Sequence, residues 1–311
     1  MDISIIIPAY NCAKYLKRCV KSVFEALNHY HGTGEVIIVD NNSTDSTYTI
    51  IEELQKEAPK LIKATKCRTP GAAAARNYGV GKAQGKYIWF VDADDTIRKD
   101  AIDKLVSTAK GTDADLVMLG MERIYSDEHT DYLSAVCPAQ DNYKSRFVRY
   151  GLGPVQVLIR RQWWTKQGLA FREGIIHEDM ELMSALILYT DKYACVDEPL
   201  YYYYQNSDSV LHKTSWDAHY LDIFLALRSL QAKFEQAGAA QKYHDELEWF
   251  FIWNLLIDSA KDFDKFPEGK VGFQMIREIL QEYYPRWRKN RFLKQKPLKL
   301  RLRVRLNYYK N

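Results

Sequence analysis

Short apolar runs alternate with helical periodicities through the first 120 residues of the chain. Ile3 to Ile7 and Val36 to Val39 are β-branched runs too short for helices, and they read as buried strands. Tyr87 to Val91 reads the same way, and Ala64 to Cys67 and Asp115 to Gly120 add two shorter strands. Between them lie helices. Cys12 to Asn28 puts Leu16, Val20, Val23, Phe24 and Leu27 on one face, and Asp45 to Glu57 turns Ile50, Ile51 and Leu54 inward. Gly71 to Ala83 is an Ala-rich helix and Ile97 to Lys110 another. Strands alternating with helices predict an α/β fold, Rossmann-like, with a mainly parallel, doubly wound sheet.

Past Met121 the pattern becomes irregular. Strands are expected at Gln156 to Arg160, Tyr193 to Val196 and Leu200 to Tyr204, and helices at Arg161 to Gly168 and Glu178 to Leu188. From Trp216 onward the chain reads as helical: Ala218 to Gln236, Gln241 to Asp262 and Gly269 to Tyr284. A boundary near Lys213 would divide an α/β domain, residues 1–213, from a helical domain, residues 214–311. Within the first, residues 1–120 form the regular half and 121–213 the irregular one.

Composition narrows the class. With 47% hydrophobic and 27% charged residues in 311, the chain has the makeup of a soluble globular protein. Its densest apolar patch, Trp249 to Ile257, is far short of the ~20 residues that cross a bilayer. No basic, apolar leader precedes Ile3, so a cytoplasmic location is expected. The five cysteines form no CxxC pair, which argues against a disulfide framework or zinc site and for a reducing compartment. Residues 285–311 hold 11 of the 44 Lys+Arg and no acid, leaving 33 basic against 40 acidic residues elsewhere.

The chemistry concentrates where apolar runs end. Tyr87 to Val91 stops in Asp92-Ala93-Asp94-Asp95. Carboxylates at the carboxyl end of a buried strand sit where α/β sheets bind ligands, and they repel one another unless a cation intervenes. Capping of the next helix by Asp95 or Thr96 is the structural alternative. The first strand exits through Pro8-Ala9-Tyr10-Asn11, which sets Tyr10 against a flat ligand. The second ends at Asp40, poised to accept a hydrogen bond from a ligand N–H. Small residues from Gly71 to Ala75 allow close approach of an anion, and Arg76 offers a planar fork. Neither GxGxxG nor GxxxxGK[ST] occurs, which removes dinucleotide-binding and P-loop readings.

Ser4 to Asn11, Val39 to Asp45, Ala75-Arg76-Asn77 and Phe90 to Asp95 together resemble the motifs of family 2 glycosyltransferases with the GT-A fold, in order and spacing. The resemblance is close over about 120 residues and looser to His212. It implies an inverting enzyme that moves a hexose or N-acetylhexosamine from a UDP-sugar to a glycan acceptor in bacterial surface polysaccharide synthesis. It implies donor binding by Pro8, Ala9, Tyr10, Asn11, Asp40, Arg76, Asp92 and Ala93. Asp94 would hold Mn²⁺ or Mg²⁺. Asn41-Asn42 departs from the more usual Asp-Gly and bears on the turn. Ile176 to Glu181 resembles the family's Glu-Asp motif, which implies Asp179 as general base and Glu178 as acceptor-binding neighbour or alternative base, with His177 orienting either. Gln205 to Lys213 resembles a loop that closes over the donor diphosphate, with His212 as donor and metal contact and Gln205 where relatives carry Arg.

Lys299 to Leu306 alternates basic and apolar residues. As a strand it would have one cationic face; as a basic amphipathic segment it would attract an anionic membrane surface, placing the protein peripherally at the inner face of the cell membrane. A homo-oligomer is compatible with the sequence. Two rivals remain: a metal-dependent nucleotidyltransferase, for which no Gly-rich basic loop follows the first strand, and a non-catalytic nucleic-acid binder using the tail. With the acidic body set apart from the tail, no nucleic acid is expected as partner.

Overall fold

The computed structural model describes residues 1–126, 129–135, 137, 143–205 and 215–310. In chain order the strands and helices are β1 (Ile3–Ala9), α1 (Ala13–His29), β2 (Gly34–Asp40), α2 (Thr47–Glu57), β3 (Ile62–Lys66), α3 (Ala72–Lys82), β4 (Tyr87–Phe90), β5 (Thr96–Ile97), α4 (Ala101–Thr112), β6 (Leu116–Ser126), β7 (His129–Leu133), α5 (Tyr143–Tyr150), β8 (Val157–Arg160), α6 (Arg161–Lys166), α7 (Glu178–Met183), β9 (Tyr193–Tyr204), α8 (Asp222–Gln236), α9 (His244–Trp253), α10 (Ala260–Phe263), α11 (Lys270–Tyr283), α12 (Arg291–Lys294) and α13 (Leu298–Tyr308).

Two compact units emerge. The first comprises Met1–Tyr143, Leu152–Gly174 and Tyr189–Ser209. Its sheet runs β3-β2-β1-β4-β8-β6-β9-β5, with β7 paired to β6. The β3-β2-β1-β4 stretch is parallel. β8 turns the sheet antiparallel between β4 and β6, and β9 returns parallel to β6. The all-apolar runs of β1, β2 and β4 are buried throughout, as strands covered on both faces must be. Parallel register sets Ala9 opposite Asp40, and the Val91 amide donates to the Ile6 carbonyl, so the ends of β1, β2 and β4 share one edge.

At the opposite edge, buried Glu35 accepts from Ser4 Oγ at 2.6 Å and the Gln84 amide at 2.7 Å, and pairs with Lys63 at 2.6 Å. These bonds offset its desolvation. Tyr193 to Tyr204 forms one strand, not two: the β6–β9 register shifts near Gly120, which absorbs the Glu198-Pro199 interruption.

The second unit comprises Lys144–Gly151, Ile175–Leu188 and Val210–Asn311. The boundary expected near Lys213 lies outside the described residues. The helix expected over Gln241 to Asp262 forms as α9, a π-type stretch Asn254–Ser259 and α10. Trp249, Phe251, Phe234, Phe263 and Trp287 are fully buried there and make the core. The strand pattern of Lys299 to Leu306 gives way to helix α13, seated by Val304, which is 0% exposed, and by Asn307 donating to the Leu256 carbonyl at 2.8 Å.

The expectation of no disulfide is overturned. Cys137 and Cys195 are bonded, with Cα atoms 5.2 Å apart and 58 residues between them in sequence. Spacing rules detect only local pairs; here the β6–β9 pairing sets Cys195 opposite Met118, and β7 doubles back along β6 toward it. Cys12, Cys19 and Cys67 stay free and buried, and burial pushes the Cys12 thiol up to about 12, which suits packing rather than nucleophilic attack.

Gly79 marks where α3 rests on β1: a Cβ there would lie 2.4 Å from Ile6 Cγ2. We expect Gly79→Val to lower stability by ~1–3 kcal/mol, measured by denaturant unfolding, because a packed strand or the helix bearing Arg76 must move.

Candidate active site

In the first unit, the loops leaving β1 and β2 are stitched together. The Asn41 amide donates to the Ala9 carbonyl at 2.8 Å, and Asn11 Oδ1 accepts from the Thr44 amide at 2.8 Å. The Cys12 amide reaches Thr47 Oγ1 at 2.8 Å. Asn11 and Asn42 adopt φ of 46° and 62°, left-handed values that asparagine tolerates better than most residues. Asn42 therefore supplies the conformation a glycine would, and the Asn-Asn departure leaves the turn intact. Asn41 adds bonds no glycine or alanine could make: Oδ1 accepts from the Gly71 amide at 2.8 Å, and Nδ2 donates to the Thr69 carbonyl at 2.7 Å. It thereby ties the β2 exit to the start of α3.

Asp40 is 3% exposed, and its Oδ1 has no hydrogen-bond partner among the described residues. A buried carboxylate oxygen without a donor costs free energy, so an external N–H is the expected complement. Tyr10 is 53% exposed, leaving its ring open to a ligand, whereas Ala9 is buried and Pro8 half-buried as the strand's last turn. Arg76 is buried; it donates to Asp92 Oδ1 at 3.1 Å, and its guanidinium stands over the Phe171 ring, 5.6 Å from the centroid. Asn77 fixes that floor by exchanging hydrogen bonds with the Phe171 backbone at 2.8 and 2.9 Å.

Asp92 and Asp94 are half-buried and Ala93 is buried between them. Asp95 is not a helix cap. It is 0% exposed, taking Tyr201 Oη–H at 2.6 Å and the Tyr204 amide at 2.8 Å, while α4 begins after Asp100. Tyr201 Oη in turn accepts from the Asp92 amide at 3.1 Å. Arg18 donates to the Asp94 carbonyl at 2.6 Å and stacks on Tyr204 with its guanidinium 3.8 Å from the ring centroid. Sequence reasoning missed Arg18 and Tyr201. The alternation of the tyrosines gives Tyr201 and Tyr203 a common face, but nothing in the chain distinguishes Arg18 from its neighbours.

Among the described residues, these acids do not converge as a three-ligand cluster. Their donor set nonetheless fits a hard divalent ion that takes one or two carboxylates and completes its shell with phosphate and water oxygens. Burial, and then the charges of Asp92 and Asp94, push Asp95 up to about 8, against the pull of Tyr201 and Tyr204. A cation would relieve that repulsion. A broad hollow of about 450 Å³ lined by Met1, Lys86, Arg160 and Arg161 lies at the other edge, by the amino ends of β1 and β4, and contains none of these groups.

In the second unit, Glu178 and Asp179 open α7, with Glu178 buried and Asp179 half-buried. Asp179 Oδ1 accepts from the Met180 amide at 2.9 Å. His177 precedes them at φ 69°, an uncommon conformation for a bulky residue. Burial lowers its pKa, against the pull of Asp179, Asp222 and Asp262, and favours the neutral imidazole. Asp222 Oδ2 secures this turn by accepting from the Ile176 amide at 3.0 Å. Glu181 is buried and pairs with Lys233 at 3.3 Å, a structural role for that acid. His212 lies outside the described residues.

Two outcomes are expected from this network. Tyr201→Phe leaves an Asp95 oxygen without its donor and should cost ~1–3 kcal/mol in denaturant unfolding. In metal-free protein, the folded chain keeps a proton on Asp95 that the unfolded chain releases above about 4. The resulting stability is full below that pH and is lost as pH rises to about 8. Unfolding in chelator across this range should show the decline, and Asp95→Asn should flatten it.

The model of glycosyl transferase family 2 matches residues 4–168. The chain is 26% identical over 242 residues to the glycosyltransferase GlyG of Streptococcus pneumoniae serotype 4, covering 71% of this chain and 78% of that one. It is 26% identical over 306 residues to the uncharacterised glycosyltransferase EpsJ of Bacillus subtilis, covering 90% and 86%. In fold it is similar to the crystal structure of S. aureus TarS 1–349 in complex with UDP-GlcNAc, at TM-score 0.77 and 21% identity, covering 99% of this chain and 89% of that one. The matched span holds Tyr10, Asp40, Arg76, Asp92 and Asp94, and the sheet that carries them is the GT-A sheet: the chain belongs to glycosyl transferase family 2 and is a glycosyltransferase.

Proposed function

We propose that the protein transfers a hexose or N-acetylhexosamine from a UDP-sugar to a glycan hydroxyl, with inversion at the anomeric carbon, in the synthesis of a surface polysaccharide. The observation that carries the donor assignment is Asp40 Oδ1, buried at the carboxyl end of β2 and without a partner among the described residues. A uracil ring presents an N–H to such an acceptor, and the exposed Tyr10 ring supports stacking on the base. TarS, whose fold this chain shares, is known in complex with UDP-GlcNAc, which supports the same donor class. Succinoglycan biosynthesis protein ExoO of Rhizobium meliloti, 26% identical over 255 residues, supports the polysaccharide setting.

In the proposed reaction the acceptor oxygen attacks C1 of the sugar as the bond from C1 to the diphosphate oxygen breaks. The bonding pair leaves with UDP, and the hydroxyl proton passes to the Asp179 carboxylate, with Glu178 binding the acceptor. His177, whose pKa burial lowers, orients the pair. Asp94 and Asp92 would hold Mn²⁺ or Mg²⁺, which when bound offsets the charge developing on the leaving diphosphate. Arg76 braces Asp92 at 3.1 Å and so keeps the acid aimed while adding a positive charge near the donor. Pro8, Ala9, Asn11 and Ala93 shape the donor floor through their backbone.

The reading is tested by titrating UDP-glucose, UDP-galactose and their N-acetyl forms, with Mn²⁺ and with chelator, following thermal stability and UDP release. One donor should stabilise the protein, and chelator should abolish the effect. Asp40→Ala should weaken UDP binding at least ~10-fold. Asp179→Asn should keep donor binding and lose turnover by ~10²–10⁴-fold. Turnover near wild type in Asp179→Asn refutes the base, and stabilisation by a nucleoside triphosphate alone favours a nucleotidyltransferase.

A further inference from the structure

Helix α13 is anchored by one side only. Val304 is fully buried, the Trp287 and Tyr308 rings meet at 5.1 Å between centroids, and Arg277 donates to the Lys310 carbonyl at 2.5 Å. On the outer side a second apolar stripe faces water. Leu298, Leu302, Leu306 and Tyr309 are 61%, 49%, 71% and 64% exposed. Leucines four residues apart form a continuous row at 3.6 residues per turn, and Tyr309 falls among them. By the same geometry Arg305 borders the row on one side and Lys299 and Arg303 on the other, all three exposed. Leucine is costly to expose in such a row, and a rigid helix keeps the row assembled.

The charge around the stripe selects its occupant. Residues 285–311 contain 11 Lys+Arg and no acid. A second copy docked on this face would bring like charges together. A nucleic acid would satisfy the cations but leave the leucines against phosphate. An anionic bilayer meets both, with phosphates for the cationic borders and acyl chains for the leucines. No described helix is long and apolar enough to cross a membrane, so this helix would lie along the surface.

We infer that α13 is an interfacial membrane-docking helix that inserts Leu298, Leu302 and Leu306 into a bilayer rich in anionic lipid. This does not depend on the donor assigned above. The full chain should co-sediment with vesicles of equal parts phosphatidylcholine and phosphatidylglycerol, and far less with phosphatidylcholine alone. Raising salt should weaken binding. Leu302→Glu with Leu306→Glu should cut affinity at least ~30-fold, and Arg303→Gln with Arg305→Gln about 10-fold. Both pairs are exposed, so thermal unfolding should stay unchanged and exclude misfolding as the cause. Equal binding to neutral vesicles, no binding to anionic ones, or undiminished binding by the leucine variant would each overturn the proposal. So would self-association in vesicle-free buffer that the leucine variant abolishes without vesicle binding, or RNA retention by a chain that ignores vesicles.

Discussion

The hydrogen bond from Tyr201 to Asp95 is the interaction on which the acidic turn after β4 depends. It is fully enclosed, it ends on a carboxyl group, and it lies near the close of a strand that begins eight residues earlier at Tyr193. Because the same hydroxyl accepts from the Asp92 amide, one tyrosine fixes both ends of the acidic turn. The short β5–β9 pairing, Thr96 opposite Tyr202 and Ile97 opposite Tyr201, then locks the chain that leaves the turn. The acids are thus held from behind by buried bonds, and their exposed oxygens keep their direction without a ligand to impose it.

A second constraint is the parallel register of β2, β1 and β4. It brings Asp40, the Pro8-to-Asn11 exit and the acidic turn to one edge although they are separated by up to 87 residues in sequence. The loops gain rigidity from asparagines. Asn11 and Asn41 satisfy backbone groups of the neighbouring loop, so each turn is held by a partner. The segment bearing Glu178 and Asp179 belongs to a different compact unit, where Asp222 secures the preceding turn. The residues proposed for donor binding and for the base therefore stand in separate cores.

Much of this was legible in the sequence because it rests on local signals. β1, β2 and β4 carry the apolar runs Ile5–Ile7, Val36–Val39 and Tyr87–Phe90, each followed by the polar residues of its exit, and α1 shows its buried face at helical spacing. The place of Asp95, for which capping was the structural alternative, was not legible because its burial is set by Tyr201, 106 residues away. β7 and α5 were missed: β7 is largely exposed and polar, and α5 carries no apolar stripe longer than Phe147-Val148. The tail misled for another reason. Alternation by twos mimics a strand, but in α13 it arises from two apolar stripes on opposite sides of one helix, one against the core and one against solvent.

The Cys137–Cys195 link has a counterpart in Asp197, two residues further along β9. Its carboxylate accepts from Tyr132 Oη at 2.7 Å, the Ala135 amide at 2.8 Å and Ser134 Oγ at 3.2 Å. The covalent bond and these three polar ones hold the same return of chain against the same strand. The attachment is therefore redundant across redox environments. The three bonds to Asp197 need no sulfur chemistry, and the sulfur bridge adds to them where the thiols are oxidised. Glu198, next in line, pairs with Arg98 and Lys104 at 2.6 Å, so the strand that ends on the acidic turn is moored along its length whether or not the sulfurs are joined.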